Sequence, residues 1–317
     1  MNTNVVPATA AAIERAAEAL AQGRLVAFPT ETVYGLGADA ANPAAVRAIF
    51  VAKGRPPDHP LIVHLPDASH LDAWARRVPA GARALADAFW PGPLTLILPR
   101  AAVVPDVVTG GQDSVGLRVP SHPVAQALLR EFDRGVAAPS ANRFGNVSAT
   151  TALHVVGELD VEFVLDGGAS EVGIESTIVD LSGAGPVLLR PGRVSKAELE
   201  KTLNAKVSEK SLDSPRHSGG LERHYAPKTP ALLVPAHALD AEIAKRGATV
   251  AVLAFSKPDE RVEYWIRMPR EPRAYAQRLY AALRELDGAH CGAILIESPP
   301  EVAEWDAIRD RLSRAAG

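Results

Sequence analysis

Short apolar runs alternate with helix-signalled stretches along this chain, and that alternation constrains its fold most, since it pairs buried strands with the helices that cover them. Leu25–Phe28, Leu61–His64, Leu94–Leu98, Val115–Val119, Val136–Ala138, Phe163–Leu165, Ser176–Leu181 and Val187–Arg190 read as strands. Asn42 is a good N-cap and Pro43 a good first-turn residue, so a helix is expected over Pro43–Ala52. Ser195 with Glu198 forms a capping-box pattern that starts another, ending near Leu203. The strands are short and closely spaced, which favours a mixed, strongly twisted sheet over a purely parallel one. From Ala205 to Pro230 the chain is polar and lacks apolar periodicity, the mark of a linker or a long functional loop. Beyond it, strands at Thr249–Phe255 and Ala293–Ile296 are flanked by helical patterns over Pro272–Leu286 and Val302–Leu312. The expected organisation is α/β throughout: a first domain over residues 1–206, a connecting segment over 207–230 and a smaller α/β domain over 231–317.

With 317 residues, 47% of them hydrophobic and 22% charged, the chain has the material for about two cores. The Ala-rich stretch from Ala8 to Ala21 carries Glu14, Arg15 and Glu18 and has no basic segment before it, which argues against a leader or transit peptide. No uninterrupted apolar run approaches the roughly 18 residues of a membrane span. A cytoplasmic location with no membrane association is expected. Cys291 is the only cysteine, so neither an intrachain disulfide nor a cysteine-based zinc site is available, and it reads as a small buried residue of the strand around Ile294. Net charge is −3, with 18 basic against 21 acidic side chains up to Lys206, so strong direct nucleic-acid binding is not expected.

Lys53-Gly54-Arg55-Pro56-Pro57 lies at a helix-to-strand junction. Two cations one residue apart on a stiff loop suit a polyphosphate, because Arg offers a planar fork and Lys a point charge. Both are expected at a solvent-facing cleft. Gly35, Gly37 and Ala40 spell G-x-G-x-x-A, but six residues separate Phe28 from Gly35, too far for the tight turn of a dinucleotide fold. No Gly-Lys dipeptide and no G-x-S-x-G occur, which removes a Walker A loop and the usual hydrolase elbow. His59 and His64 are an odd number of residues apart and would face opposite ways on one strand, so a protein-built metal site is not expected. What remains is a series of polar clusters at strand ends. Thr30, Glu31 and Thr32 follow the first strand; Ser114 and Arg118 share a face of another. Ser140, Asn142 and Ser148 sit in a polar turn, Glu175, Ser176 and Thr177 open a strand, and Arg190 closes the last.

The runs PTETVYGLG, KGRPPDHPLIVHL, WPGPLTLIL, VGLRVPSHPVA, PSANRFGNVSATTA, GIESTIVDL and LLRPG, spread over residues 25–193, resemble the YrdC-like family of L-threonylcarbamoyladenylate synthases in content and order. HYAPKTP at 224–230 with an α/β tail is similar to the longer two-domain form of that family. The resemblance implies a YrdC-like twisted mixed open sheet with helices, plus a smaller C-terminal Rossmann-like domain. It further implies a nucleotidyltransferase that turns ATP, L-threonine and bicarbonate into threonylcarbamoyl-AMP and pyrophosphate. A downstream transferase would then use that product to modify tRNA beside the anticodon. Carried onto matching positions, Thr32, His64, Arg118 and Ser176, with the backbone of Ala138, would hold threonine. Lys53, Arg55, His59, Ser114, Ser140, Asn142, Ser148 and Arg190 would hold ATP, with Lys53 and Arg55 as the catalytic cations. Tyr225 would close over the nucleotide from a linker acting as a lid. Mg2+ would arrive with ATP, without a protein cage. Asn146, Ala149 and Gly219 depart from the family's usual residues, which puts only loop stiffness in question. A double-stranded-RNA-binding module and a carbamoyltransferase of the hydrogenase-maturation type are rivals; the acidic balance opposes the first and the single cysteine the second.

Overall fold

The computed structural model describes residues 5–247 and 249–317. One compact unit comprises residues up to Phe144, Ala149–Glu171 and Glu175–Gly220, and a second comprises Gly145–Ser148, Val172–Ile174 and Leu221–Gly317.

The first unit is built on strands β1 (Val5–Pro7), β2 (Val26–Phe28), β3 (Gly35–Asp39), β4 (Ile62–His64), β5 (Leu94–Pro99), β6 (Ser114–Arg118), β7 (Val136–Ala137), β8 (Phe163–Asp166), β9 (Thr177–Asp180), β10 (Val187–Arg190) and β11 (Ser208–Glu209). They form one mixed sheet in the order β1-β8-β2-β3-β7-β4-β6-β5-β9-β10-β11. Its helices are α1 (Ala10–Ala21), α2 (Pro43–Lys53), α3 (Leu71–Trp74), α4 (Ala80–Phe89), α5 (Asp106–Thr109), α6 (Pro123–Phe132), α7 (Ala152–Val156) and α8 (Lys196–Leu203). Helix α2 starts as its sequence requires: the Asn42 side chain accepts from the amides of Ala44 and Ala45, and Pro43 occupies the first turn. It stops at Gly54, whose φ of 62° closes the helix in the left-handed region that a Cβ disfavours. Helix α8 carries the full Ser195–Glu198 capping box.

Pairing places the site. Partners in register share a face of a sheet, and alternate residues of a strand return to it. Val136 pairs with His64 and His64 with Arg118. Gly116 pairs with both Ile62 and Ile97, Thr95 with Ile178, and Ile178 with Arg190. These residues therefore lie on one face. Over β8, β2 and β7 that face is apolar, and Phe28, Val136 and Phe163 pack against α1 and α6. From β4 to β10 it instead carries His64, Ser114, Arg118, Thr95 and Arg190 around a small apolar floor of Ile62, Ile97, Ile178 and Leu189. The opposite face is apolar from β3 to β9 and is covered by α2, α4 and α8.

The second unit holds β12 (Ala231–Val234), β13 (Val250–Ala254), β14 (Tyr264–Arg267) and β15 (Ala293–Glu297), parallel throughout in the order β12-β15-β13-β14. Helices α9 (Leu239–Arg246), α10 (Pro272–Asp287) and α11 (Asp306–Ala315) accompany them.

The structure adds a strand and corrects one reading. The stretch from Gly35 to Asp39 is strand β3, and, as its spacing implies, it forms no dinucleotide turn: a Cβ on Gly37 would lie 2.8 Å from the Phe28 ring and from Val136. The Ala-rich stretch becomes α1, because small side chains let the helix lie close on the sheet. Cys291 precedes β15 and is only half buried, its Sγ 3.8 Å from the Ala289 carbonyl.

Candidate active site

At the C-terminal ends of the parallel neighbours β4 and β6, His64 and Arg118 stand side by side. Arg118 is an interior-strand residue and not the edge-strand arginine that a surface salt bridge would need. Its Nε donates to the Gly92 carbonyl (3.2 Å), Nη1 donates to Thr32 Oγ1 (2.9 Å), and Nη2 lies 2.7 Å from a Glu31 carboxylate oxygen. Both members of that ion pair are 4% exposed, so the charges are isolated from bulk water. The two threonines of the PTET run now separate in role. Thr30 Oγ1 donates to the Val33 carbonyl and accepts from the Val33 amide, closing its own turn, whereas Thr32 faces Arg118.

His64 is buried, and burial first, then the neighbouring Arg118 charge, pushes its pKa down to about 3. Its ring is neutral at physiological pH. Nδ1 has no hydrogen-bond partner among the described residues, which leaves a buried polar atom available to a ligand. Two strands away, Ser176 Oγ lies 2.8 Å from Thr95 Oγ1. Arg190 clamps the same residue, with Nη2 donating to Ser176 Oγ (3.0 Å) and Nε to its carbonyl (2.9 Å).

The Lys53–Arg55 pair sits at the other end of β4. Lys53 ends α2, and its Nζ donates to the carbonyls of Ser140 (2.5 Å) and Asn142, which ties the polar turn to the helix. Burial and then the Arg55 charge hold its ammonium well below the usual lysine pKa, opposed by Glu158. Arg55 Nη2 donates to the Pro60 carbonyl (3.0 Å), and its guanidinium lies over the Phe144 ring. His59 meets that ring edge-on, and burial, then Arg55, lowers its pKa. At 3% and 7% exposure, Lys53 and Arg55 are buried, which corrects the expectation of a solvent-facing loop. The carbonyls of the 139–144 turn and the loop before β4 enclose them.

Ser114 opens β6 on the face that carries Arg118, about 13 Å from it along the strand. Ala138 donates its amide to the Ile62 carbonyl, and Ser140 bridges to Gly35. Thr32, His64, Arg118, Ser176 and Arg190 thus converge through direct contacts or strand register, and Lys53, Arg55, His59, Ser140 and Asn142 form a second cluster around α2. Ser148 and Tyr225 belong to the second unit. There Arg284 donates to the carbonyls of Val147 and Ser148. Tyr225 takes a φ of 58°, stacks on Tyr280, and lies under the Arg311 guanidinium.

Three residues of these clusters were given no role from the sequence. Thr95 is a lone hydroxyl inside the apolar run Leu94–Leu98, a signal in itself. Glu31 lay between two threonines. Ser218 accepts from Arg190 Nη1 at its carbonyl (2.9 Å) and donates its Oγ to the Pro60 carbonyl (2.8 Å), so residues 216–218 bridge the two cationic regions. Among the described residues no group of three or more His, Cys, Asp or Glu could hold a metal ion, and no helix is long and apolar enough to cross a membrane.

A mixed α/β sheet with buried cations and hydroxyls at its strand ends is the class of fold and site that the comparisons define more closely. A family model described as telomere recombination, Sua5_yciO_yrdC, matches residues 18–192, and one described as the C-terminal domain of threonylcarbamoyl-AMP synthase matches residues 194–317. The chain belongs to this family of threonylcarbamoyl-AMP synthases, in its two-domain form. The threonylcarbamoyl-AMP synthase of Pyrococcus abyssi is 40% identical, over 96% of this chain and 94% of its own length. That of Bacillus subtilis is also 40% identical, over 96% and 93%. A crystal structure of P. abyssi Sua5 complexed with L-threonine superposes with a TM-score of 0.91 at 38% identity, covering 98% of this chain and 96% of that one.

Proposed function

We propose that this chain condenses L-threonine, bicarbonate and ATP into threonylcarbamoyl-AMP and pyrophosphate, as a cytoplasmic supplier for a transferase that modifies tRNA beside the anticodon. The observation that carries this reading is two buried clusters flanking β4: the Arg118 guanidinium with hydroxyls at its C-terminal end, and the Lys53–Arg55 pair tied to carbonyls before its N-terminal end. The relative solved with threonine supports the amino-acid half.

Arg118 is held by Gly92, Thr32 and Glu31, so its fork is oriented before a substrate carboxylate arrives. Neutral His64 and the Thr95–Ser176 pair offer hydrogen bonds for threonine's remaining polar groups without adding charge. The threonine nitrogen joins the carbon of bicarbonate with loss of water to give an N-carboxylate, whose oxygen attacks the α-phosphorus while pyrophosphate leaves. Lys53, Arg55 and Arg190 offset the charge that develops on the phosphates. These cations suit phosphate oxygens and not a metal, so magnesium would come bound to ATP itself. A buried site also keeps water from the mixed anhydride.

The test is pyrophosphate release from ATP, with the product identified by mass. Release should require both threonine and bicarbonate and give an adenylate carrying the threonylcarbamoyl group. Release independent of threonine would overturn the reading.

A further inference from the structure

We propose that Glu31 receives the α-ammonium of the substrate amino acid and takes its proton as the nitrogen bonds to the carbon of bicarbonate. This rests on the threonine-activating reading above and adds a group to it. Glu31 is 3% exposed and faces the same guanidinium that binds the substrate carboxylate. Although its carboxylate is 2.7 Å from Arg118 Nη2, neither oxygen makes a well-aligned hydrogen bond with any described residue. A buried carboxylate with unused acceptor capacity is costly unless a donor reaches it.

An α-amino acid supplies that donor by its own geometry. Its carboxylate and ammonium hang from the same carbon. A carboxylate seated on the remaining N–H groups of Arg118 therefore brings the ammonium beside whatever else touches that guanidinium, and the charged group there is Glu31. The neighbouring ring of His122, whose pKa burial lowers, also feels the Glu31 charge, which, like that of Glu171, acts to raise it. Arg118 pairs with Glu31 and His122 lies close enough to feel its charge, and neither is a stronger acceptor for a substrate cation.

The chemistry needs such an acceptor, because an ammonium has no lone pair. Glu31 takes one proton and becomes the neutral acid. The amine nitrogen then forms the C–N bond to the bicarbonate carbon, and the C–O bond breaks. The departing hydroxide leaves as water with the second nitrogen proton. Atoms and charge balance, with one proton retained on Glu31 until it is passed to solvent.

The experiment compares L-threonine with 3-hydroxybutyrate, the same skeleton without the amino group, by calorimetric titration of the wild-type chain and Glu31→Gln. Threonine affinity should fall about ten- to a hundredfold in the variant, while 3-hydroxybutyrate binding is unchanged or tighter. With threonine saturating, kcat should fall at least about tenfold, since an amide can hold an amine but cannot take its proton. Parallel loss for both ligands, or undiminished threonine binding, overturns the proposal; an unchanged kcat overturns the proton transfer. Wild-type chain that binds no threonine would sink the functional reading as well, whereas normal wild-type binding with an indifferent variant sinks the role of Glu31 alone. A crystal structure of the wild-type chain with L-threonine decides the matter even if the variant does not fold. The ammonium nitrogen within about 3.2 Å of a Glu31 oxygen supports the proposal, and its placement on another acceptor overturns it.

Discussion

His64 is neutral in the fold and would titrate normally once unfolded, so it makes stability depend on pH with a definite sign. Its pKa falls from 6.5 to about 3 on folding, so between those values the unfolded chain binds the extra proton. Stability contributed by the neutral ring is therefore present above about pH 6.5 and is lost as pH falls towards 3. One such group gives a slope of about 1.4 kcal/mol per pH unit. Denaturant titrations between pH 6 and 4.5 should show a shallower slope in His64→Gln than in the wild-type chain, and equal slopes would contradict the buried neutral ring. Arg55 makes a different demand. Truncating it to Ala should lower turnover about 100-fold by removing charge from the phosphate end. It should also cost about 1–2 kcal/mol of stability, because the side chain bonds the Pro60 carbonyl and covers Phe144. Wild-type kcat in folded Arg55→Ala would remove Arg55 from the mechanism.

At the scale of elements, the segment after α8 is more ordered than its polar sequence suggests. Ser208 and Glu209 add a strand to β10, Arg216 donates to the Gly110 carbonyl and its amide to Gln112, and Ser218 joins Pro60 to Arg190. These are polar contacts with residues distant in the chain, and no local period encodes them. The same cause explains what else was hidden. Strands around Val63, Leu96 and Val179 were legible because both neighbours bury them, and α2 because its caps are local. Strand β3 was not, since its glycines are dictated by Phe28 pressing on it across the sheet. In the site, Arg118 and the Lys53–Arg55 pair were visible as cations at strand and helix ends. Glu31 was not, because its partner lies 87 residues away and its value depends on burial. If the 211–220 segment is a strap over the cations, Ser218→Ala combined with Arg216→Ala should raise its rate of limited proteolysis, and ATP should slow cleavage in the wild-type chain. Identical cleavage of both proteins, with and without ATP, would show that these contacts do not hold it.

For the whole molecule, the two units are interleaved along the chain and not simply strung together. Gly145–Ser148 and Val172–Ile174 come from the middle of the first unit's sequence yet belong to the second. Asn146 bridges to Ala226, the Ala226 amide donates to the Gly145 carbonyl, and Arg284 of α10 donates to the Val147 and Ser148 carbonyls. Gly173 lies so close to α10 that a Cβ would meet the Gln277 backbone at 2.4 Å. A fragment ending at Gly220 keeps the eleven-stranded sheet and the cores on both of its faces, but it loses every one of those partners. Its sheet should therefore fold, because the missing contacts are local to two loops. Those loops, at 145–148 and 172–174, should exchange amide hydrogens far faster than in the full chain. Exchange mass spectrometry of the fragment and of the full chain checks this. Unchanged exchange in the two loops would mean that they stand without these partners.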